Sequence, residues 1–462
     1  MSDPGDGAEA TTVGIDIGTT SVKALAVDAA GGVVARARMP HGVRSPKPGA
    51  FEHDLDLAWR ANVLGALSLV AGGRPVAAVN VAAMVPSLGA VDADGRAVGP
   101  GLLYGDRRGA QAIVDPTEVG DAGELLAFLR WQTRATPAAA GYWPAQAVAN
   151  HALAGRGVID STTAMTAVPL FDLTGWDAAL AREAGASPDC LPDIVSGVEP
   201  AGVVLEGLPA AGAVVGGGTI DALAEQLVAG ADEAGDVHVL CGSTLITWVV
   251  LDDWAEVPGL WTVPHTVAGK TLVGGPSNAG GLFLDRVLRW LGPNAASGLA
   301  GVEPGDLPVW LPYVRGERTP LHRRDIGASL LDLGLQHQTG EVLQAAYEAA
   351  GFVVRHHLDL AAATGVVPRR IVATGGGTQV WPWVQALADC TGLPVDLATV
   401  PEGAALGSAF IARCAAGLEG SMIDAGRWAS TRRTVEPRPE WIEAAAARYE
   451  RFRAATAALV AS

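Results

Sequence analysis

Near the N-terminus, apolar residues fall in short runs cut by glycine-containing turns. Residues 13–17 and 22–28 are β-rich and separated by Gly18-Thr19-Thr20, and the turn Asp28–Gly32 leads into Val33–Arg38. The pattern predicts a three-stranded meander. Leu55, Trp59, Val63 and Leu67 then recur every four positions, predicting a helix over 54–70, and Val76–Met84 reads as a strand. The second half repeats this plan. Val237–Leu251 holds two apolar runs around Gly242-Ser243-Thr244, helical stretches occupy 280–291 and 340–363, and strand Arg370–Thr374 runs into Gly375-Gly376-Gly377. A helix through Ala388, the run Val395–Leu397 and a terminal helix beyond 417 complete the pattern. Strands alternating with helices indicate an α/β chain.

With 462 residues the chain is too long for a single core. The expected division is a disordered tail over 1–12, an N-terminal domain over 13–220 and a C-terminal domain over 221–462, with the boundary in the glycine-rich stretch before Asp221. No apolar run reaches the roughly 18 residues of a membrane span. The acidic start lacks the basic and apolar regions of a secretory signal, so the expected location is cytoplasmic. A net charge of −17 argues against a nucleic-acid partner, which would need clustered Lys and Arg. Cys190, Cys241, Cys390 and Cys414 are widely spaced among apolar neighbours and are expected to be reduced thiols rather than zinc ligands.

The two turns carry the candidate chemistry. Glycine lets the backbone approach a ligand without a Cβ in the way, and exposed amides with hydroxyls suit phosphate oxygens. Gly18, Thr19 and Thr20 pair in this sense with Gly242, Ser243 and Thr244 as two phosphate grips, although each alone would also make an ordinary hairpin turn. Asp16, just ahead of the first grip, is placed to hold Mg²⁺, which takes one or two carboxylates along with phosphate oxygens. Lys23 either adds charge there or points to solvent. Gly375-Gly376-Gly377 and Glu402-Gly403-Ala404-Ala405-Leu406-Gly407 read as the other half of a nucleotide clamp. Two familiar nucleotide signatures are absent. A dinucleotide fingerprint would need glycine where Asp16 stands, and Gly269-Lys270-Thr271 has Pro264 where a P-loop needs its first glycine.

Taken together, these segments resemble the FGGY carbohydrate kinases of the actin-like ATPase superfamily. The likeness spans about residues 12–416. It is carried by Gly14–Lys23, Val91–Arg96 leading to Tyr104-Gly105-Asp106-Arg107, Gly217–Ala222, Gly275–Gly281, Leu311–Pro320 and the C-terminal glycine segments. The resemblance implies an α/β fold of two actin-like (ribonuclease H-like) domains flanking an ATP and sugar cleft. It also implies ATP and Mg²⁺ as cofactors and a sugar or polyol as substrate, with a homodimer left open. Asp221 takes the place of the catalytic base, which would accept the proton of the sugar hydroxyl. An Asp at a helix start also serves as a cap. Gly281, Gly375, Gly376 and Gly377 would contact the nucleotide, and Met84, Asp106, Arg107 and Asp221 the substrate.

The chain departs from the family at its sugar contacts. Ala83-Met84-Val85-Pro86 stands where many relatives carry Gln-Met-His-Gly, Tyr104-Gly105-Asp106 replaces Trp-Asn-Asp, and Asp221-Ala222 replaces Asp-Asn. Sites built to bind hydroxyls discriminate strongly when such contacts change. The reading is therefore a kinase for a small sugar, a ketopentose such as xylulose first. Other polyols, sugar acids, a non-sugar signalling molecule and a catalytically inactive ATP-binding regulator are the alternatives.

Overall fold

The computed structural model describes residues 11–109, 124–195, 198–267 and 269–461. Two compact units emerge, one formed by 1–228 with 403–428 and the other by 229–402 with 429–462. They depart from the contiguous segments 13–220 and 221–462 because the helices Asp221–Leu227 and Gly403–Ala415 pack on each other within the first unit. The tail expected over 1–12 lies outside the described residues except for Thr11 and Thr12. Both are buried residues of the first strand, and Thr11 is tied to the Pro75 carbonyl through its amide and hydroxyl.

The first unit is built on a seven-stranded mixed sheet. Its strands are β1 (Thr11–Ile17), β2 (Ser21–Val27), β3 (Val33–Pro40), β4 (Val76–Ala83), β5 (Pro200–Val203), β6 (Val214–Gly216) and β7 (Thr219–Ile220). The order is β5-β6-β4-β1-β2-β3, with β7 also beside β4. The predicted meander is β1-β2-β3, and β4 joins β1 in parallel through the predicted helix, whose Leu55, Trp59, Val63 and Leu67 are all buried. Its first turns, Asp56–Ala61, are π-helical before the α-helix Asn62–Ala71.

The second unit repeats the plan with β8 (Asp236–Cys241), β9 (Leu245–Leu251), β10 (Trp261–Pro264), β11 (Thr271–Ser277), β12 (Arg370–Thr374), β13 (Val395–Ala398) and β14 (Thr431–Val435). Their order is β10-β11-β9-β8-β12-β13-β14. Helices Gly281–Leu291, Thr339–Ala361 and Trp381–Thr391 follow the predicted positions, and the terminal helix Pro439–Ala461 buries Trp441, Tyr449 and Phe452. Each unit has its own apolar interior. Cys241, Cys390 and Cys414 are buried free thiols and Cys190 is half-buried. Among the described residues no helix is long and apolar enough to cross a membrane.

Candidate active site

Asp16 and Asp221 occupy the carboxyl edge of the first sheet. Strand β4 lies between β1 and β7, with Ile17 opposite Ala83 and Ala83 opposite Ile220. Two strand spacings of about 4.8 Å therefore separate the chains that deliver the two carboxylates. Asp221 opens the helix Asp221–Leu227, half-buried, and its Oδ1 accepts the Ala222 amide at 2.7 Å. It does not serve as the N-cap, a position held by Ile220.

Asp16 pairs with Lys23 directly across the β1–β2 hairpin, Nζ to Oδ2 at 3.1 Å. Lys23 therefore adds charge at the site rather than pointing to solvent. The Asp16 carboxylate raises the Lys23 pKa above its ordinary value against the opposing effect of burial, with Glu225 and Asp221 adding to the rise. Glu225, four residues beyond Asp221 on the same helix face, thus belongs to this charge cluster, although nothing in the local sequence marked it.

The turn between these strands is held from behind. Its Gly18 amide closes on the Ser21 carbonyl at 3.1 Å. His41 Nε2 donates to the Gly18 carbonyl at 3.0 Å and His53 Nε2 to the Thr19 carbonyl at 2.8 Å. The Trp59 indole donates to His53 Nδ1 at 3.0 Å, which fixes the proton on Nε2. Burial holds both imidazoles below the usual pKa, His53 at about 4, so they act as neutral donors. In a trans peptide the N–H points away from the C=O. Pinning two carbonyls therefore aims the Thr19 and Thr20 amides away from the histidines. The Thr19 hydroxyl is engaged with the Tyr104 hydroxyl at 2.8 Å, whereas Thr20 is exposed.

The other residues expected at the substrate fare differently. Met84 is buried in the apolar interior at the end of β4. Asp106 is also buried, and its carboxylate is taken up by the Phe51 amide at 2.6 Å, the Arg108 amide at 2.9 Å and the Arg108 guanidinium. It anchors its own loop. Arg107, by contrast, is exposed on the wall of a cavity.

In the second unit, the predicted nucleotide residues gather at the carboxyl ends of the parallel neighbours β8 and β12. The turn Gly242–Thr244 receives the amides of Gly281 and Leu282 on the carbonyls of Gly242 and Ser243, at 2.9 and 3.0 Å. A Cβ on Gly281 would sit 2.9 Å from the Gly242 carbonyl oxygen, so glycine lets the helix start dock on the turn. Gly375 has φ +85° and, like Gly377, lies against Cys241, where a side chain would collide. A Cβ on Gly376 would meet nothing within 4 Å, and the residue is exposed. Of these three glycines it is the one whose backbone is open to a ligand.

Gly403 and Gly407, read from sequence as part of a nucleotide clamp, both lie against the helix of Asp221. A Cβ on Gly407 would lie 1.8 Å from the Ala224 carbonyl oxygen, and one on Gly403 would lie 2.9 Å from Glu225 Cγ. Gly14 on β1 is likewise pressed to Ala405, 1.8 Å from its carbonyl oxygen. The helix Gly403–Ala415 thus backs both the strand of Asp16 and the helix of Asp221.

Among the described residues no group of three or more His, Cys, Asp or Glu side chains could cage a metal. With Lys23 on one oxygen of Asp16, the donor set fits magnesium carried chiefly on nucleotide phosphates and water.

Residues 11–125 match the N-terminal domain model of the FGGY family of carbohydrate kinases, and residues 255–416 match its C-terminal domain model. A xylulose kinase of Streptomyces coelicolor is 31% identical over 456 residues, covering 90% of each chain. A gluconokinase of Bacillus subtilis is 24% identical over 88% of this chain and 87% of its own. The crystal structure of xylulose kinase from Rhodospirillum rubrum superposes with a TM-score of 0.75 at 27% identity, covering 97% of this chain and 99% of that one.

Proposed function

Because the chain belongs to the FGGY family of carbohydrate kinases, an ATP-using family, we propose that it transfers the γ-phosphoryl group of ATP to a primary hydroxyl of a small ketose, with xylulose the leading candidate. The observation that carries this reading is the placement of Asp221 and Asp16 on one sheet edge beside an amide-bearing turn. In the reaction the sugar oxygen bonds to the γ-phosphorus, the bond from that phosphorus to the ADP oxygen breaks, and the hydroxyl proton passes to the Asp221 carboxylate. The Thr19 and Thr20 amides and Lys23 stabilise charge on the phosphoryl oxygens. The Gly242–Thr244 turn and the Gly376 backbone hold the nucleotide. Asp16 is the residue that would hold magnesium, which when bound would supply positive charge to the phosphoryl group. Since MgATP is the phosphoryl donor, the site of action is cytoplasmic.

The test is coupled ADP release with MgATP across D-xylulose, L-xylulose, D-ribulose, D-gluconate, glycerol and erythritol. Turnover of a ketopentose is expected. Asp221→Asn is expected to lower kcat by about 10²–10⁴-fold while leaving the KM for ATP close to wild type. Near-normal turnover in that variant would remove Asp221 as the base, and silence with every ketose would overturn the substrate reading.

A further inference from the structure

A cavity of about 500 Å³ lies in the first unit between the loop 47–49, Arg107-Arg108 and the helix Glu124–Ala135. Its lining includes four cationic side chains, Lys47, Arg107, Arg108 and Arg134, with Trp131, in a chain whose net charge is −17. The size suits a small organic ligand, for which pockets of about 300–1,000 Å³ are usual.

Arg108 is the fixed wall. Its guanidinium bonds Glu52 at 2.6 Å and Asp106 at 2.7 Å and lies 4.6 Å from the Trp131 ring centroid. Its charge is answered inside the protein. Lys47 and Arg134 are exposed, and no carboxylate of the described residues pairs with either. Arg134 is steadied by donating Nε to the Arg130 carbonyl at 2.9 Å. The Arg107 backbone is fixed by its amide on the Gly49 carbonyl at 2.7 Å, and Gly49, at φ +79°, brings its loop against the Arg107 stem. Two long cations and Arg107 are thereby presented to one cavity from three separate segments. Cations gathered this way pair strongly with a carboxylate or phosphate, which can take several charge-assisted hydrogen bonds at once.

We infer that this cavity is a binding site for a small anion, a carboxylate or phosphate group, held by Lys47, Arg107 and Arg134 against the Arg108–Trp131 wall. The chemistry admits two sources, a carboxylate on the substrate itself or a free phosphate ligand.

Isothermal titration of the full chain with inorganic phosphate and with D-gluconate, and with neutral xylitol as control, tests it without requiring turnover. It therefore fails or succeeds independently of the kinase reading. Saturable binding of at least one anion near one equivalent is expected. The affinity should fall at least about tenfold in Lys47→Glu/Arg134→Glu, and less in Lys47→Gln/Arg134→Gln, which guards against loss of folding. If gluconate is also phosphorylated, with a KM raised in the variants and kcat kept, the anion is the substrate's own carboxylate. Phosphate binding without gluconate turnover identifies a free phosphate ligand. Equal affinity in wild type and both variants, or no saturable binding of either anion, overturns the site.

Discussion

His53 shows how a single buried side chain can set the geometry of a candidate phosphate-binding turn. It is fully buried, donates to the Thr19 carbonyl, and has its tautomer fixed by Trp59. Replacing it by glutamine keeps a donor, whereas leucine removes it and leaves the carbonyl unpaired. We expect His53→Leu to lower kcat at least about tenfold, consistent with the roughly 1–3 kcal/mol cost of an unsatisfied buried group, and His53→Gln to restore most of it. Equal rates in the two variants would remove the positioning role. Glu317 makes a second residue-scale test. It is buried against the Ser277 hydroxyl and the Asn278 and Arg318 amides, and burial pushes its carboxyl up to about 7 against the pull of those bonds. A folded pKa above the unfolded 4.5 means that the contribution is fully present below pH 4.5 and is lost as pH rises through about 7. Chemical denaturation between those limits should therefore show a downward slope of stability with pH that is flatter in Glu317→Gln.

At the scale of elements, the helix Gly403–Ala415 underlies the candidate site. Gly14 of β1 lets that strand press on the helix at Ala405 on one side, and Gly407 lets the helix meet the backbone of the Asp221 helix at Ala224 on the other. Gly407→Ala would drive a methyl into the Ala224 carbonyl, a clash that only a shift of the Asp221 helix relieves. Overpacking of this kind costs about 1–3 kcal/mol, so the thermal midpoint of the first unit should fall by about 3–9 °C. The same variant should lose kcat while nucleotide affinity holds, since the Gly376 backbone is untouched. An unchanged midpoint would refute the packing argument. The two glycine-turn hairpins were legible in the sequence because alternating runs around Gly18-Thr19-Thr20 and Gly242-Ser243-Thr244 are local signals. The role of Gly403 and Gly407 was not, because a glycine at a helix crossing looks the same in sequence as one beside a phosphate.

For the whole molecule, two compact units, each with its own apolar interior, imply two cooperative transitions rather than one. Calorimetry should resolve them, and a nucleotide at 100 times its Kd should raise the transition of the second unit, by about 2.7 kcal/mol in stability. Gly376→Val, whose Cβ would have no neighbour within 4 Å, should leave the ligand-free transition in place and abolish that rise. A single transition that moves as one would contradict this division. The main strands and helices along the chain and the two glycine turns were determined by the sequence itself, because hydrophobic period and turn chemistry act over a few neighbouring residues, whereas the candidate base Asp221 followed only from the resemblance to the family. Tertiary structure alone decided that Asp106 is consumed by Arg108 and Phe51, that two histidines stand behind the first turn, and that Lys47, Arg107 and Arg134 share a cavity. Apart from Arg108, two residues from Asp106, those partners lie tens of residues apart in the chain. Only closure of the sheet and loops brings them within bonding distance.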